Sequence, residues 1–375
     1  MINELMRVPL GIRIVFAGSE IMDRDIWQKL QTTSSPIIIY GTGNGADKVL
    51  DEMAKRGISP AGIMASDDFV RGQRFRGYTV KSLSDHLRVI DDPVIIIAFG
   101  TQRREVMDNI LSLAGRYRVL CADVPVYGGD IFDRSYCDEH YDEIVRLRNI
   151  LADEQSVRVL DGIIDFRLSG ELPALTDIFS GKDEAFGEIL RLGAHESYLD
   201  LGAYRGDTIA EFLNYSGGSY EHITALEPDI RTYKKLREYA SGFPDTQLFN
   251  MGIWSKDCDL ILSSSLGRGS SLAAGTDSAS RSQSQSLAVT CIDTLYKRRV
   301  LTYLKMDVEG AEEQALLGGA GVIARDRPKL NIALYHRTGD FFRLPLLIHS
   351  IAPEYKLYLR QHPHIPDWDL NLYAV

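Results

Sequence analysis

Hydrophobic positions along this chain fall into short continuous runs separated by amphipathic stretches. Runs at 36–40, 61–64, 94–98 and 118–122 are apolar on both faces, as strands of a parallel sheet covered on both sides would be. Between them, Val49, Leu50 and Met53, and the stretch 105–113, have helical spacing. A short helix is expected near 25–30 and another at Leu83 and Leu87, with a polar loop at 71–78. The same alternation returns later. Strands are expected at 197–201, 223–226, 246–250, 258–262, 287–291, 303–307 and 330–336, with a final hairpin at 355–360 and 370–375. Ile209, Phe212 and Leu213 mark the inner face of a helix after the first of these, and 232–239 that of another. The fold class is therefore α/β, with two doubly wound Rossmann-like units at 1–125 and 191–375. A helical linker or lid at 126–190 joins them, with helices expected at 141–151, 161–168 and 183–192. Within it, Tyr136, Tyr141 and Arg167 either reach a pocket or serve packing.

The most informative stretch is 197–208, where a strand ends in Asp200, a turn carries Gly202, Ala203, Tyr204 and Gly206, and a helix opens at Asp207 and Thr208. Gly202 lets backbone approach a ligand closely. Asp207 or Thr208 would cap the first amides of the helix. The next strand ends in Glu227-Pro228-Asp229, and an acid there can accept both hydroxyls of a ribose. The turn reads D-x-G-x-x-x-G, not the G-x-G-x-x-G of dinucleotide enzymes. That points to a cofactor with a ribose but no phosphate, namely S-adenosyl-L-methionine. The first unit has its own turn, Gly41-Thr-Gly-Asn-Gly-Ala46, which reads either as a nucleotide site or as packing punctuation.

A third candidate lies at 303–312, Tyr-Leu-Lys-Met-Asp-Val-Glu-Gly-Ala-Glu. Strand alternation would set Lys305, Asp307 and Glu309 on one face at the C-terminal sheet edge, where open α/β sheets place their chemistry. A helix should begin near Gly310. Its early acids are also what a helix dipole favours. His336, at the end of its strand, is either a general base or a surface cap. Asp307 is the other candidate base, and with Glu309 it could hold Mg²⁺, although no third ligand stands out.

Composition narrows the partners. The chain has 375 residues, 45% hydrophobic and 25% charged, with a net charge of −10, which disfavours a nucleic acid held by electrostatics. Cys121, Cys137, Cys258 and Cys291 are scattered and read as free thiols. The N-terminus lacks the basic and apolar pattern of a signal peptide, and no apolar run approaches the roughly 20 residues of a membrane span, so a cytoplasmic protein is expected. A homo-oligomer is compatible with these numbers. The Ser-rich stretch 263–286 reads as a surface loop, with Ser270 and Ser271 allowed a place near the pocket.

Two family resemblances attach to these motifs. K-M-D-V-E-G-A-E, together with Y-L-D-L-G-A-Y-R-G-D-T, A-L-E-P-D and Leu330-Asn-Ile-Ala-Leu-Tyr-His336, resembles the FkbM family of S-adenosylmethionine-dependent methyltransferases over about residues 190–375. The resemblance implies a class I methyltransferase sheet of seven strands, mostly parallel, with the last hairpin strand antiparallel. It implies that Asp200, Gly202 and Gly206 line the methionine end and that Glu227 holds the ribose. Asn250 would meet the adenine edge, and Asp307 and Glu309 would lie near the methyl group. It also implies O-methylation of a hydroxylated small molecule, such as a sugar or polyketide. Gly41 to Ala46, Gly72…Gly77-Tyr-Thr-Val80 and Ile95-Ile-Ile-Ala-Phe-Gly100 resemble the N-terminal domain of PglD-type sugar acetyltransferases. Such domains are linked to nucleotide sugars, and some act mainly as scaffolds. A non-catalytic nucleotide-sugar or partner-binding scaffold is therefore the alternative. An NAD(P)-linked sugar oxidoreductase is a weaker one.

Overall fold

The computed structural model describes residues 25–262 and 285–375. Ser270 and Ser271 lie outside the described residues. Helix Ile26–Thr32 opens the described chain, capped by Asp25. The first sheet comprises β1 (Ile37–Tyr40), β2 (Gly62–Met64), β3 (Arg74–Phe75), β4 (Tyr78–Lys81), β5 (Val94–Ile97) and β6 (Arg118–Cys121), in the order β3-β4-β2-β1-β5-β6. Its continuous apolar runs are the central parallel strands, with β1 and β5 buried throughout. The expected loop at 71–78 is instead mostly a hairpin. Arg76 and Gly77 both take positive φ, 48° and 88°, which lets β3 turn tightly into β4. Two-residue, half-polar β3 leaves no periodic signal to read.

The second unit begins with β7 (Ser197–Leu201), β8 (His222–Leu226) and β9 (Thr246–Phe249). A small side sheet follows, made of β10 (Gly252–Ile253), β11 (Cys258–Leu262) and β12 (Gln285–Thr290). The main sheet resumes with β13 (Tyr303–Met306), β14 (Lys329–Ala333), β15 (Leu357–Gln361) and β16 (Leu370–Ala374). Its order is β15-β16-β14-β13-β7-β8-β9, and β16 runs antiparallel to both neighbours while the other pairs are parallel. This is the seven-stranded arrangement expected of the class I methyltransferase fold. The register sets Asp200, Lys305, Asn331 and Tyr373 side by side across four strands, so all four share one face.

The segment between the sheets is built into the core. Helix Glu154–Ser169 starts seven residues before the expected helix because Asp153 caps it through the Ser156 amide. The expected helix at 183–192 is a short helical turn, Lys182–Glu184, running into a π-helical turn, Ala185–Leu190. Helix Asp340–Ile351, which the sequence reading did not anticipate, is apolar nearly all round. Continuous packing runs from Ile38 and Ile97 through Leu160 and Ile163 to Leu330, Ile332 and Phe341. Arg167 fastens this junction. Its Nε donates to Asp367 at 2.8 Å, its NH1 donates to the Thr338 carbonyl at 2.9 Å, and Asp123 lies 3.8 Å away. Burial lifts the Asp123 carboxyl to about 6 even though Arg167 opposes that shift. Arg167 therefore joins the two units instead of lining a pocket. The Tyr136 ring likewise packs against Phe132 and His140.

Candidate functional site

The strand–turn–helix at 197–215 is organised around Asp200. This residue has no solvent exposure. Its Oδ2 accepts a 2.5 Å hydrogen bond from the Thr208 hydroxyl, while its Oδ1 has no aligned hydrogen bond, the Tyr198 hydroxyl acting on the carboxyl from nearby. Burial drives the Asp200 carboxyl up to about 7, against the Thr208 and Tyr198 hydroxyls and the Lys305 charge. An orphaned, fully buried carboxylate oxygen is costly and rare, and it marks a place where a donor belongs. Helix Asp207–Tyr215 begins differently from the expectation. Gly206, at φ 95°, occupies the cap position, so neither Asp207 nor Thr208 caps the helix, and the Thr208 hydroxyl is free to turn back to Asp200.

Gly202 has φ 86°, and a Cβ there would overlap the Asp307 carbonyl oxygen. No other residue type fits that turn beside β13. The turn is pinned from both sides: Gly202 and Ala203 donate to the Leu226 carbonyl, and Asp307 N donates to the Leu201 carbonyl at 2.9 Å. Tyr204 takes a left-handed φ of 46° with its ring about half exposed. Its amide donates to Glu227 Oε2 at 3.0 Å, and the Asp229 amide donates to Oε1 at 2.8 Å. Burial raises the Glu227 carboxyl to about 7 despite these two amides. Asn250 holds the Glu227-Pro228 turn, its Nδ2 donating to both carbonyls at 2.8 and 2.9 Å. Its amide nitrogen is therefore committed to the protein, which leaves the side-chain oxygen for a ligand.

The second half of the site lies at the tips of β13 and β14. Lys305 Nζ is 4.0 Å from Asp307 Oδ2, and Tyr335 donates to that same oxygen at 3.0 Å. Burial works against charge on Asp307, but Lys305, His336 and Tyr335 outweigh it and hold the carboxyl below its usual range. Glu309 does not continue the strand face as alternation predicted. The strand ends at Met306, and Glu309 sits in a turn at φ 56°, well exposed. Two non-glycine residues in the left-handed region, Tyr204 and Glu309, thus flank the site, each at a cost of about 1 kcal/mol or more.

His336 is not a surface cap, being only 2% exposed. Its Nδ1 lies 2.8 Å from Glu312 Oε1, and its Nε2 lies 3.3 Å from Asp307 Oδ1 and 3.9 Å from Glu309 Oε2. Burial opposes charge on the ring, yet the Glu312, Asp307 and Glu309 carboxylates lift it to about 9. Glu312 is the residue sequence reasoning missed, because it read as an ordinary first-turn acid of helix Glu312–Leu317. Asp307, Glu312 and His336 are the described residues whose side chains converge closely enough to hold a metal ion. Tyr127 was missed for another reason, since it comes from the loop leaving the first sheet. Its amide donates to the His336 carbonyl at 2.8 Å, and its ring packs against Gly310. No motif in 303–336 announces a partner so distant in sequence.

The N-terminal glycine turn is put to a different use. A Cβ on Gly45 would stand 2.5 Å from the Ala98 carbonyl oxygen, so that glycine permits helix-to-strand packing. The crevice above β1 and β5 is occupied by the loop between β15 and β16. Thr101 and Ile365 exchange backbone hydrogen bonds at 2.8 and 3.0 Å, and the Trp368 ring packs onto Gly100. Between Gly45, Phe99, Pro366 and Trp368 a cavity of only about 10 Å³ remains.

Residues 200–371 match the family model described as the methyltransferase FkbM domain. The crystal structure of methyltransferase FkbM from Methylobacillus flagellatus KT is similar to this chain over 92% of its length and 90% of the other, with 21% identity and a TM-score of 0.69. That likeness is one of fold, and its coverage takes in both sheets. Aeropyrum pernix fibrillarin in complex with S-adenosyl-L-methionine is similar over 50% of this chain and 68% of its own, with 11% identity and a TM-score of 0.30. No curated protein matches the chain by sequence. Among the described residues, no helix is long and apolar enough to cross a membrane.

Proposed function

We propose that the chain is an S-adenosylmethionine-dependent methyltransferase acting on a hydroxyl of a small molecule such as a sugar or polyketide. The observation that carries this reading is the unpartnered, fully buried Oδ1 of Asp200 at the root of a glycine turn too tight for any Cβ. A ligand ammonium group would answer that oxygen, so the residues fit the methionine end of the cofactor. Glu227, with the bent 227–229 turn behind it, would take the ribose hydroxyls. The Asn250 side-chain oxygen would accept from the adenine amino group. When bound, S-adenosylmethionine supplies a methyl group on a cationic sulfur.

The work left to this chain is alignment, which can supply much of the barrier reduction in such a displacement. Asp307 is about a third exposed, and Lys305 and Tyr335 fix its orientation. It would accept the hydrogen bond of the acceptor hydroxyl and set the oxygen on the line of transfer. The O–C bond would form as the S–C bond breaks, with the hydroxyl proton passing to Asp307, whose carboxylate the neighbouring His336 and Lys305 stabilise. On this reading the N-terminal unit is a packing partner and not a nucleotide-sugar site, a view supported by the filling of its crevice with residues 365–368.

The test is transfer of radiolabelled methyl to a panel of hydroxylated sugars and polyketides. Asp307→Ala is expected to lose at least 100-fold in rate while still melting cooperatively, at a lowered temperature because Lys305 and His336 lose a buried counter-charge. Near-wild-type turnover in that variant would remove Asp307 from the reaction.

A further inference from the structure

Three side chains, from just beyond β13 and β14 and from the start of helix Glu312–Leu317, gather in one cluster. Asp307, Glu312 and His336 each bring one ligand-type atom to within 4.8 Å of the others. Glu312 and His336 are 1% and 2% exposed. His336 lies between two carboxylates, its Nδ1 ion-paired with Glu312 Oε1 at 2.8 Å and its Nε2 facing Asp307 Oδ1 at 3.3 Å. Glu312 Oε2, by contrast, is a buried polar atom without a hydrogen-bond partner. Buried polar atoms are nearly always satisfied, so an orphaned carboxylate oxygen in a cluster of ligand-type groups calls for a missing partner.

The remaining bonds orient these groups. Glu312 Oε1 is held by the Val308 amide at 2.9 Å, and Asp307 Oδ2 by the Tyr335 hydroxyl at 3.0 Å. Asp307 Oδ1, facing His336 at 3.3 Å, is thereby turned inward. Bonds of this kind to a second oxygen or a neighbouring group are what fix ligands around metal ions. The charge balance points the same way. Glu309 approaches His336, and the buried Asp340 adds a fourth carboxyl that feels Glu312. Against these acids stand the His336 ring, whose protonation they favour and whose proton a cation would displace, Lys305 beside Asp307, and Arg337, whose Nε is spent on the Gly310 carbonyl.

We infer that Asp307, Glu312 and His336 form a binding site for a divalent cation, with one imidazole nitrogen and two carboxylate oxygens as protein ligands. The mixed nitrogen and oxygen set suits a first-row ion such as Mn²⁺ better than Ca²⁺ or Mg²⁺, which prefer oxygen alone. The partial exposure of Asp307 leaves one side of the site open to water or to an oxygen of another molecule. Cation binding itself does not depend on the methyltransferase reading. Only its consequence, acidifying an acceptor hydroxyl, rests on that reading.

The experiment titrates Mn²⁺ into the full-length, chelator-treated protein, following free ion by electron paramagnetic resonance and heat by calorimetry. One ion per chain is expected, with affinity falling at least tenfold in Glu312→Gln and in His336→Ala, and Mg²⁺ competing only weakly. Thermal melts identify any variant that fails to fold, in which case Asp307→Asn, at the exposed side of the site, replaces it with the same expectation. No saturable Mn²⁺ binding by wild type, or binding unchanged in folded variants, would overturn the assignment. S-adenosylhomocysteine is titrated into the same samples. Its binding without Mn²⁺ binding would remove the cation site and leave the methyltransferase reading intact, and the converse result would do the reverse.

Discussion

The chain contains two strand–glycine turn–helix units that look alike in sequence and differ in what fills them. At Gly202 the glycine is demanded by backbone, since a side chain would strike the Asp307 carbonyl, and Asp200 Oδ1 beside the turn is left without a hydrogen bond. At Gly45 the glycine is demanded by Ala98, and the crevice above is closed by Pro366 and Trp368 from the far end of the chain. On the proposed reading one turn is a cradle and the other a socket. A glycine turn therefore identifies a place where something approaches closely, and only the surroundings say whether that is a ligand or another part of the protein.

Substitutions at the turns separate the two uses. Gly202→Ala should have the largest effect. Overlap with a backbone carbonyl and a left-handed alanine together cost about 3–5 kcal/mol, so the melting temperature falls and S-adenosylhomocysteine binding drops at least 100-fold. Gly45→Ala should cost about 1–3 kcal/mol of stability through overpacking, yet leave calorimetric S-adenosylhomocysteine affinity within twofold. Equal losses of affinity in both variants would break the comparison.

A pH titration sharpens it further. Burial holds the Glu227 carboxyl at about 7, above its usual value, and on the proposed reading ribose hydroxyls would donate to its ionised form. Affinity should be highest above pH 7 and fall as pH drops through it, by up to about tenfold per unit. Glu227→Gln should remove this group's contribution to the fall, and an unchanged profile in that variant would take Glu227 out of the site. The smallest effect is expected at Gly43, where a Cβ meets nothing within 4 Å. Gly43→Ala should shift stability by no more than about 0.5 kcal/mol, whereas a nucleotide cradle there would have been disturbed.

Much of this was legible in the sequence for identifiable reasons. Continuous apolar runs gave the parallel strands, and glycine with acids at strand ends singled out Asp200, Gly202, Glu227 and Asp307, which the fold brings to one edge of the second sheet. The misses have physical causes as well. The β3–β4 hairpin depends on two left-handed residues, not on periodicity. Glu309 leaves its predicted face because the strand stops at Met306. Glu312 was hidden by a second good reason for an acid at a helix start. Tyr127 and Trp368 act across roughly 200 and 270 residues of intervening sequence, respectively, and no local pattern records such contacts.

The most direct test of the cradle is calorimetry of S-adenosylmethionine and S-adenosylhomocysteine on wild type and Glu227→Ala. Saturable one-to-one binding by wild type, weakened at least tenfold in a variant that still melts cooperatively, is the predicted result. A folded wild type that binds neither compound would contradict the account.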